Sequence, residues 1–343
     1  MSNILILGAS YGSLLAAKLA LAGHRVRLVC SAPTAALINR EGIVVRFPDE
    51  EVRSAELRGV VDARTPDGIE PAGFEMVVLA MQEAQYAEES VLRLMRRIAT
   101  VRVPCLAIMN MPPPPFLRRL HKLDADALDG CYAAPDVWRG FDPTLVTLAS
   151  PDPQAFRPPG EAKNVLTVGL PTNFKAAVFD NPQANALLRR LACDIDEAGS
   201  LPVKLKVHDS PFVPLAKWPM LVTGNYRCIQ DDGMVSIRDA VHGDIERSRK
   251  VYEWAQGLCR KLGASQADLV PFDKYAQAAA SLQKPSSAAR ALFGGATDIE
   301  RVDKLVHGIA AQLQDENWEC TRIVALVDDR LRANRMALLA EPA

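Results

Sequence analysis

Residues 3–30 constrain the fold more than any other stretch of this chain. Ile4-Leu5-Ile6-Leu7 is apolar on both faces of a strand, a pattern that suits a sheet covered on both sides. A turn of small residues follows, Gly8-Ala9-Ser10-Tyr11-Gly12. Residues 13–22 are apolar nearly all round, Lys18 apart, and Gly23 supplies the usual helix stop. Residues 25–30 read as a second strand. Strand, helix and strand over so short a span form a βαβ unit, whose strands run parallel and whose crossover is right-handed.

The rest of the chain extends this start. Further strands are expected at 43–46, 56–61, 76–80 and 105–109, with helices at 34–39 and 84–98. Met111-Pro112-Pro113-Pro114-Pro115 forces an extended exit, because proline fixes φ and has no N–H. It opens a proline-rich, decorated segment over 111–163 that keeps a strand at 145–148. Strands at 165–169 and 203–207 flank a helix at 184–198, and the last strand closes the sheet. Beyond residue 212 the texture turns to long helical patterns, at 212–230, 238–262, 271–281, 298–312 and 314–335. The expected fold class is α/β, an N-terminal Rossmann-type parallel sheet over 1–208 followed by an all-α domain over 209–343.

Composition excludes several classes of function. Forty basic and 41 acidic side chains leave a net charge of −1, so nucleic acid and acidic membrane surfaces are not expected partners. No apolar run near the start is long enough to span a bilayer, and no signal peptide is expected. The seven cysteines are scattered without zinc-ribbon or thioredoxin spacing, and an odd number of them favours reduced thiols in the cytoplasm. The five histidines do not group, and no metal site is expected.

The turn after the first strand is where an α/β sheet holds a dinucleotide pyrophosphate. The helix N-terminus offers unpaired N–H groups, and glycine allows the backbone close to the phosphates. Gly8, Ala9, Ser10, Tyr11 and Gly12 are the candidate cofactor-binding residues, although Ala9 or Ser10 stands where a second glycine belongs and the turn is one residue short. The same letters satisfy G-x-S-x-G, but nine residues before Ser10 are too few for the strand and oxyanion loop of a hydrolase. The second strand ends in Cys30-Ser31-Ala32-Pro33-Thr34 with no acid for ribose hydroxyls. That leans to NADP over NAD, with Ser31 and Thr34 as hydroxyl donors and Arg40 as a source of charge.

At this point the order of features resembles the ketopantoate reductase family of NADP-dependent 2-oxoacid reductases. The resemblance rests on the glycine turn and its helix, ending Ala22-Gly23-His24. It rests also on a strand ending Ala107-Ile108-Met109-Asn110, on Leu215-Ala216-Lys217-Trp218 with Asn225, and on Lys284-Pro285-Ser286-Ser287 followed by Thr297-Asp298-Ile299-Glu300 and Gly308. It implies an active site in a cleft between the two domains. It also implies an enzyme that transfers hydride from a nicotinamide to a 2-oxo acid or similar small ketone. The expectation from another class is a nucleotide- or metabolite-binding protein without turnover.

The resemblance makes Lys217 the general acid and Asn110 a catalytic and cofactor contact. It makes Asn225 and Ser287 substrate-binding residues and Gln82 a cofactor contact where the family often has lysine. The partner carboxylate falls among Asp298, Glu300 and Asp303, of which Glu300 is chosen. The apolar neighbours of Lys217 agree with that role, since poor solvation lowers an ammonium's pKa and makes it a better donor near neutrality. The plain alternative is a lysine snorkelling from an amphipathic helix. Leu221 stands where the family has a further asparagine, and Pro219 predicts a kink or a later helix start. These departures argue against ketopantoate itself as substrate. A homodimer through the helical domain is expected from its broad apolar faces.

Overall fold

A computed structural model describes residues 1–48, 51–53, 61–199 and 201–340. Two compact units divide the chain: Met1–Arg119 with Ala134–Pro214, and Leu120–Ala133 with Leu215–Ala343. The proline-rich segment is therefore shared between them.

The first unit holds the strands, β1 (Asn3–Leu7), β2 (Arg25–Val29), β3 (Val44–Arg46), β4 (Glu51–Arg53), β5 (Val61–Arg64), β6 (Met76–Leu79), β7 (Cys105–Ile108), β8 (Val146–Ser150), β9 (Gln154–Phe156), β10 (Val165–Leu170), β11 (Phe174–Ala177) and β12 (Leu205–His208). Eight form one sheet in the order β12-β11-β8-β7-β6-β1-β2-β5. Every neighbouring pair is parallel except β8 with β11. Its helices are α1 (Gly12–Leu21), α2 (Ala32–Glu41), α3 (Glu89–Val101), α4 (Pro114–Leu117) and α5 (Pro182–Glu197). The expected α/β class is the one observed.

β1 lies between β6 and β2, with Leu7 paired to Leu79 on one side and Val29 on the other. The chain thus builds outward in both directions from β1. The carboxyl end of β1 is the switch point at which such sheets receive ligands. Ile4 to Leu7 are fully buried, and Leu14, Leu15 and Leu19 of α1 share one core with Ile4 and Ile6. Lys18 is buried within that helix because its Nζ donates to the Leu201 carbonyl at 3.0 Å.

A second sheet, in the order β4-β3-β10-β9, was not expected. The anticipated strands at 43–46 and 165–169 belong to it, paired parallel through Val44–Val165, and not to the main sheet. The strand anticipated at 56–61 falls almost wholly outside the described residues; β5 begins at Val61. The helix anticipated at 84–98 is broken at Glu88. Its side chain accepts from the Ser90 and Val91 amides and starts α3 afresh.

The second unit is helical: α6 (Lys217–Met220), α7 (Ile237–His242), α8 (Ile245–Leu262), α9 (Phe272–Ala279), α10 (Ser287–Phe293), α11 (Val302–Gln312) and α12 (Trp318–Ala340). The single helix expected over 238–262 is two, because Asp244 caps α8 by accepting from the Arg247 amide. Residues 120–133 join this unit through specific bonds. Gln312 and Asp124 bond each other twice, and Lys304 donates to the Gly130 carbonyl at 2.9 Å. Among the described residues no helix is long and apolar enough to cross a membrane.

Candidate active site

Gly8 leaves β1 with its amide still bonded to the Val29 carbonyl at 3.0 Å, and its φ is +105°. A Cβ there would lie 2.6 Å from the Ala80 carbonyl oxygen at the end of β6. Gly8 is therefore required twice, by its dihedral and by the closeness of β6. Gly12 opens α1, and a Cβ on it would sit 2.7 Å from Ile6 Cγ2, so this glycine lets the helix approach the strand. The turn thus keeps the glycine for tight reversal and the glycine for helix packing. Ala9 or Ser10 takes the place of the one between. No side chain caps the first turn of α1 and no acid stands in it, the electrostatics an anion needs.

The turn is held from below and from the side. Ser13 Oγ donates to the Ala9 carbonyl at 2.7 Å. Tyr11, read from sequence as a cofactor contact, donates its hydroxyl to the Pro153 carbonyl at 2.8 Å, and its ring meets Phe174 edge-on at 5.9 Å. Burial and the neighbouring Asp152 carboxylate push the Tyr11 phenol well above its ordinary range, so it stays protonated. Arg157 Nη2 also donates to the Ala9 carbonyl, at 3.1 Å. Neither Pro153 nor Arg157 carries a sequence signal, since each meets the turn from more than 140 residues away.

At the end of β2, Ser31 is exposed and its hydroxyl lies 3.0 Å from that of Thr34. Burial pushes the Cys30 thiol up to about 11, against the opposing charge of Arg157. Arg40 does not serve this end. It sits in the last turn of α2, paired with Glu41 at 2.6 Å, on the far side of a helix whose N-terminus faces β2. Gln82 follows β6, exposed, at the head of a 3-10 turn in which its amide donates to Gln85 Oε1 at 3.0 Å. Asn110 stands half-buried just past β7, at the carboxyl edge of the same sheet. Gly8, Gln82 and Asn110 thus follow the three adjacent strands β1, β6 and β7.

In the helical unit, Lys217 is the first residue of α6 and is half-buried beside the buried Ala216 and Trp218. Pro219 sits within the first turn, where a missing N–H costs nothing. The helix expected over 212–230 is not regular. After Met220 it widens into a π turn, Leu221–Asn225, and then tightens into a 3-10 turn, Tyr226–Cys228. Eight α-helical steps would leave Asn225 roughly 80° from Lys217. A π turn rotates less per residue and swings Asn225 back towards the Lys217 face. Gly224 makes room for Tyr275, whose hydroxyl donates to the Met220 carbonyl at 3.1 Å.

Ser286, not Ser287, lies against this turn. Its buried hydroxyl donates to the Asn225 carbonyl at 2.7 Å and accepts from the Ala289 amide as the cap of α10. Ser287 is exposed one residue further on. Of the three acids, Asp303 is fully buried and held by both nitrogens of an Arg301 fork at 3.0 and 2.9 Å, while Asp298 pairs with Arg335 on the surface. Glu300 is half-buried, and its carbonyl accepts from the Tyr226 hydroxyl, next to Asn225 in sequence. Lys217 and Asn225 therefore lie in one irregular helical run, and the backbone of Glu300 is held to the end of it by Tyr226.

Residues 4–110 match the family described as ketopantoate reductase PanE/ApbA. No curated protein sequence matches the chain. Solved structures similar over nearly the whole length include 2-dehydropantoate 2-reductase from Methylococcus capsulatus, at TM-score 0.69, 13% identity and 97% of each chain covered. D-mandelate dehydrogenase with NADH and anilino(oxo)acetate gives 0.66 at 15% identity, covering 97% of this chain and 99% of its own. The dimeric ketopantoate reductase from Staphylococcus aureus gives 0.64 at 11%, with 97% and 99% covered. Residues 4–110 thus form a domain of the PanE/ApbA ketopantoate reductase type, at the head of a chain that shares the two-part fold of these structures.

Proposed function

We propose that this chain is an NAD(P)-dependent oxidoreductase that reduces a 2-oxo acid or a similar small ketone, with NADP(H) as its cofactor. The observation that carries the reading is the Gly8–Gly12 turn, set at the switch point of a parallel sheet and closed to any Cβ at Gly8. The residues fit the group. The turn leads into a helix N-terminus without acid or cap, and the β2 end carries hydroxyls in place of a carboxylate. A bound nicotinamide would supply the hydride. The fold shared with 2-dehydropantoate 2-reductase and with D-mandelate dehydrogenase supports a 2-oxo acid as the acceptor class.

The chain's own part is position and electrostatics. Charge develops on a carbonyl oxygen as hydride arrives at its carbon. Lys217, half-buried among apolar neighbours, is the proton donor that stabilises and then neutralises it. Asn110 and Asn225 orient the carbonyl and the cofactor, and Glu300 binds the rest of the substrate. The enzyme works in the cytoplasm as a homodimer, the state named for the Staphylococcus aureus structure.

Titration with NADPH and NADH, followed by nicotinamide fluorescence, tests the reading, and no binding of either at millimolar concentration would end it. Lys217→Ala should slow single-turnover nicotinamide oxidation by roughly two orders of magnitude with cofactor affinity little changed. Equal rates in a folded variant would make Lys217 structural.

A further inference from the structure

We propose that Arg157, reaching in from β9 and the loop after it, binds the 2′-phosphate of NADP and sets the cofactor preference. The inference rests on the dinucleotide reading above and names a residue of that site. NADP differs from NAD by one phosphate, carried on the adenosine ribose, and that ribose lies between the glycine turn and the end of the second strand. A protein that prefers NADP needs a cation there. The β2 end, residues 30–34, has none of its own, and Arg40 is spent on Glu41 at the other end of α2.

Arg157 fills the vacancy from a distant part of the chain. Its Nη2 donates to the Ala9 carbonyl in the glycine turn, and its charge acts on the Cys30 thiol at the end of β2. The guanidinium therefore lies against the glycine turn and within electrostatic reach of the β2 end. Its placement is built: the Tyr11 hydroxyl ties the turn to Pro153, just before β9, and β9 pairs with β10 in the second sheet. Burial disfavours the charged form of Arg157, yet among the described residues no carboxylate pairs with it, and its Nε is buried without a hydrogen-bond partner. A half-buried guanidinium with a donor to spare is costly unless an anion completes it. The planar fork of arginine matches phosphate oxygens, and the exposed Ser31 at the end of β2 adds a hydroxyl. Arg64, at the end of β5, is the other arginine nearby, but it is exposed and its stem runs along Gly68.

The test is the dissociation constant for NADPH and for NADH in wild type, Arg157→Ala, Arg157→Lys and Arg64→Ala. Wild type should prefer NADPH. Arg157→Ala should weaken NADPH by roughly 10- to 100-fold and NADH by less than about threefold, the loss of one charge-assisted contact. Arg157→Lys should recover part of the preference, and Arg64→Ala should keep it. Equal losses for both cofactors would mean that Arg157 only braces the turn at Ala9, and would overturn the proposal. So would an unchanged NADPH constant, or a preference lost in Arg64→Ala. Wild type that binds neither cofactor would instead overturn the oxidoreductase reading itself.

Discussion

Replacing Gly224 by alanine would place a methyl carbon 2.0 Å from the Tyr275 hydroxyl oxygen. An ordinary contact needs about 3.5 Å, so the hydroxyl must retreat by roughly 1.5 Å. It has little freedom to do so. The ring stacks on Tyr252 at 5.1 Å, and Tyr252 in turn meets Phe272 at 5.4 Å. Retreat also breaks the bond to the Met220 carbonyl. Overpacking costs about 1–3 kcal/mol and a buried carbonyl left unpaired about 1–3 kcal/mol more. Alanine returns about 1 kcal/mol through lower chain entropy in the unfolded state. The net loss for Gly224→Ala is therefore roughly 1–5 kcal/mol.

The double mutant separates this account from a general dislike of substitution. With Tyr275→Phe the nearest atoms to the new methyl become the ring carbon Cζ and Ile237 Cγ2, both at 3.3 Å. Neighbours need then give by only a few tenths of an ångström. Tyr275→Phe alone should cost about 1–2 kcal/mol for the lost hydrogen bond, and the double mutant little more than that. Urea unfolding, read as midpoints at constant m, measures all three. Losses that simply add would refute the argument, since they would show that the alanine and the hydroxyl do not compete for one space.

Three further outcomes follow from the structure. Glu319 is buried between Arg227, at 3.1 Å, and Arg247, so Glu319→Gln strands two guanidinium groups and should cost about 3–5 kcal/mol in the same assay; a loss below 1 kcal/mol would show the cluster to be well hydrated. His24 is buried, and burial lowers its pKa from 6.5 despite the opposing pull of Asp194 at 3.1 Å. The unfolded chain therefore takes up the proton first. The stability His24 confers is complete above about pH 6.5 and is lost as pH falls through the depressed folded value, a slope that His24→Gln should flatten in denaturation curves taken across that range. Gly8→Ala combines a φ of +105° with a Cβ 2.6 Å from the Ala80 oxygen, so NADPH and NADH should weaken together by tenfold or more; unchanged binding would remove the turn from the cofactor site.

Much of the first unit was legible in the sequence, and the site was legible in part. The β1–α1–β2 start could be read because its signals are local: a strand buried on both faces must be continuously apolar, and a helix between two layers must be apolar all round. The π turn at Leu221–Asn225 could not be read, because the space that Gly224 leaves for Tyr275 involves a residue some 50 positions away. Ser286 and Ser287 are indistinguishable as letters. The start of α10 and the position of the Asn225 carbonyl decide which of them turns inward. The second sheet escaped notice because β3 and β10, anticipated as separate strands, pair only across some 120 residues of intervening chain, and β4 and β9, three residues each, show no period. Arg157 had no local pattern at all. The sequence by itself determined the switch point and the glycine turn, where backbone sterics and burial act between neighbours. The tertiary structure alone decided which distant charge comes to lie beside them, since that depends on strand pairing across the whole of the first unit.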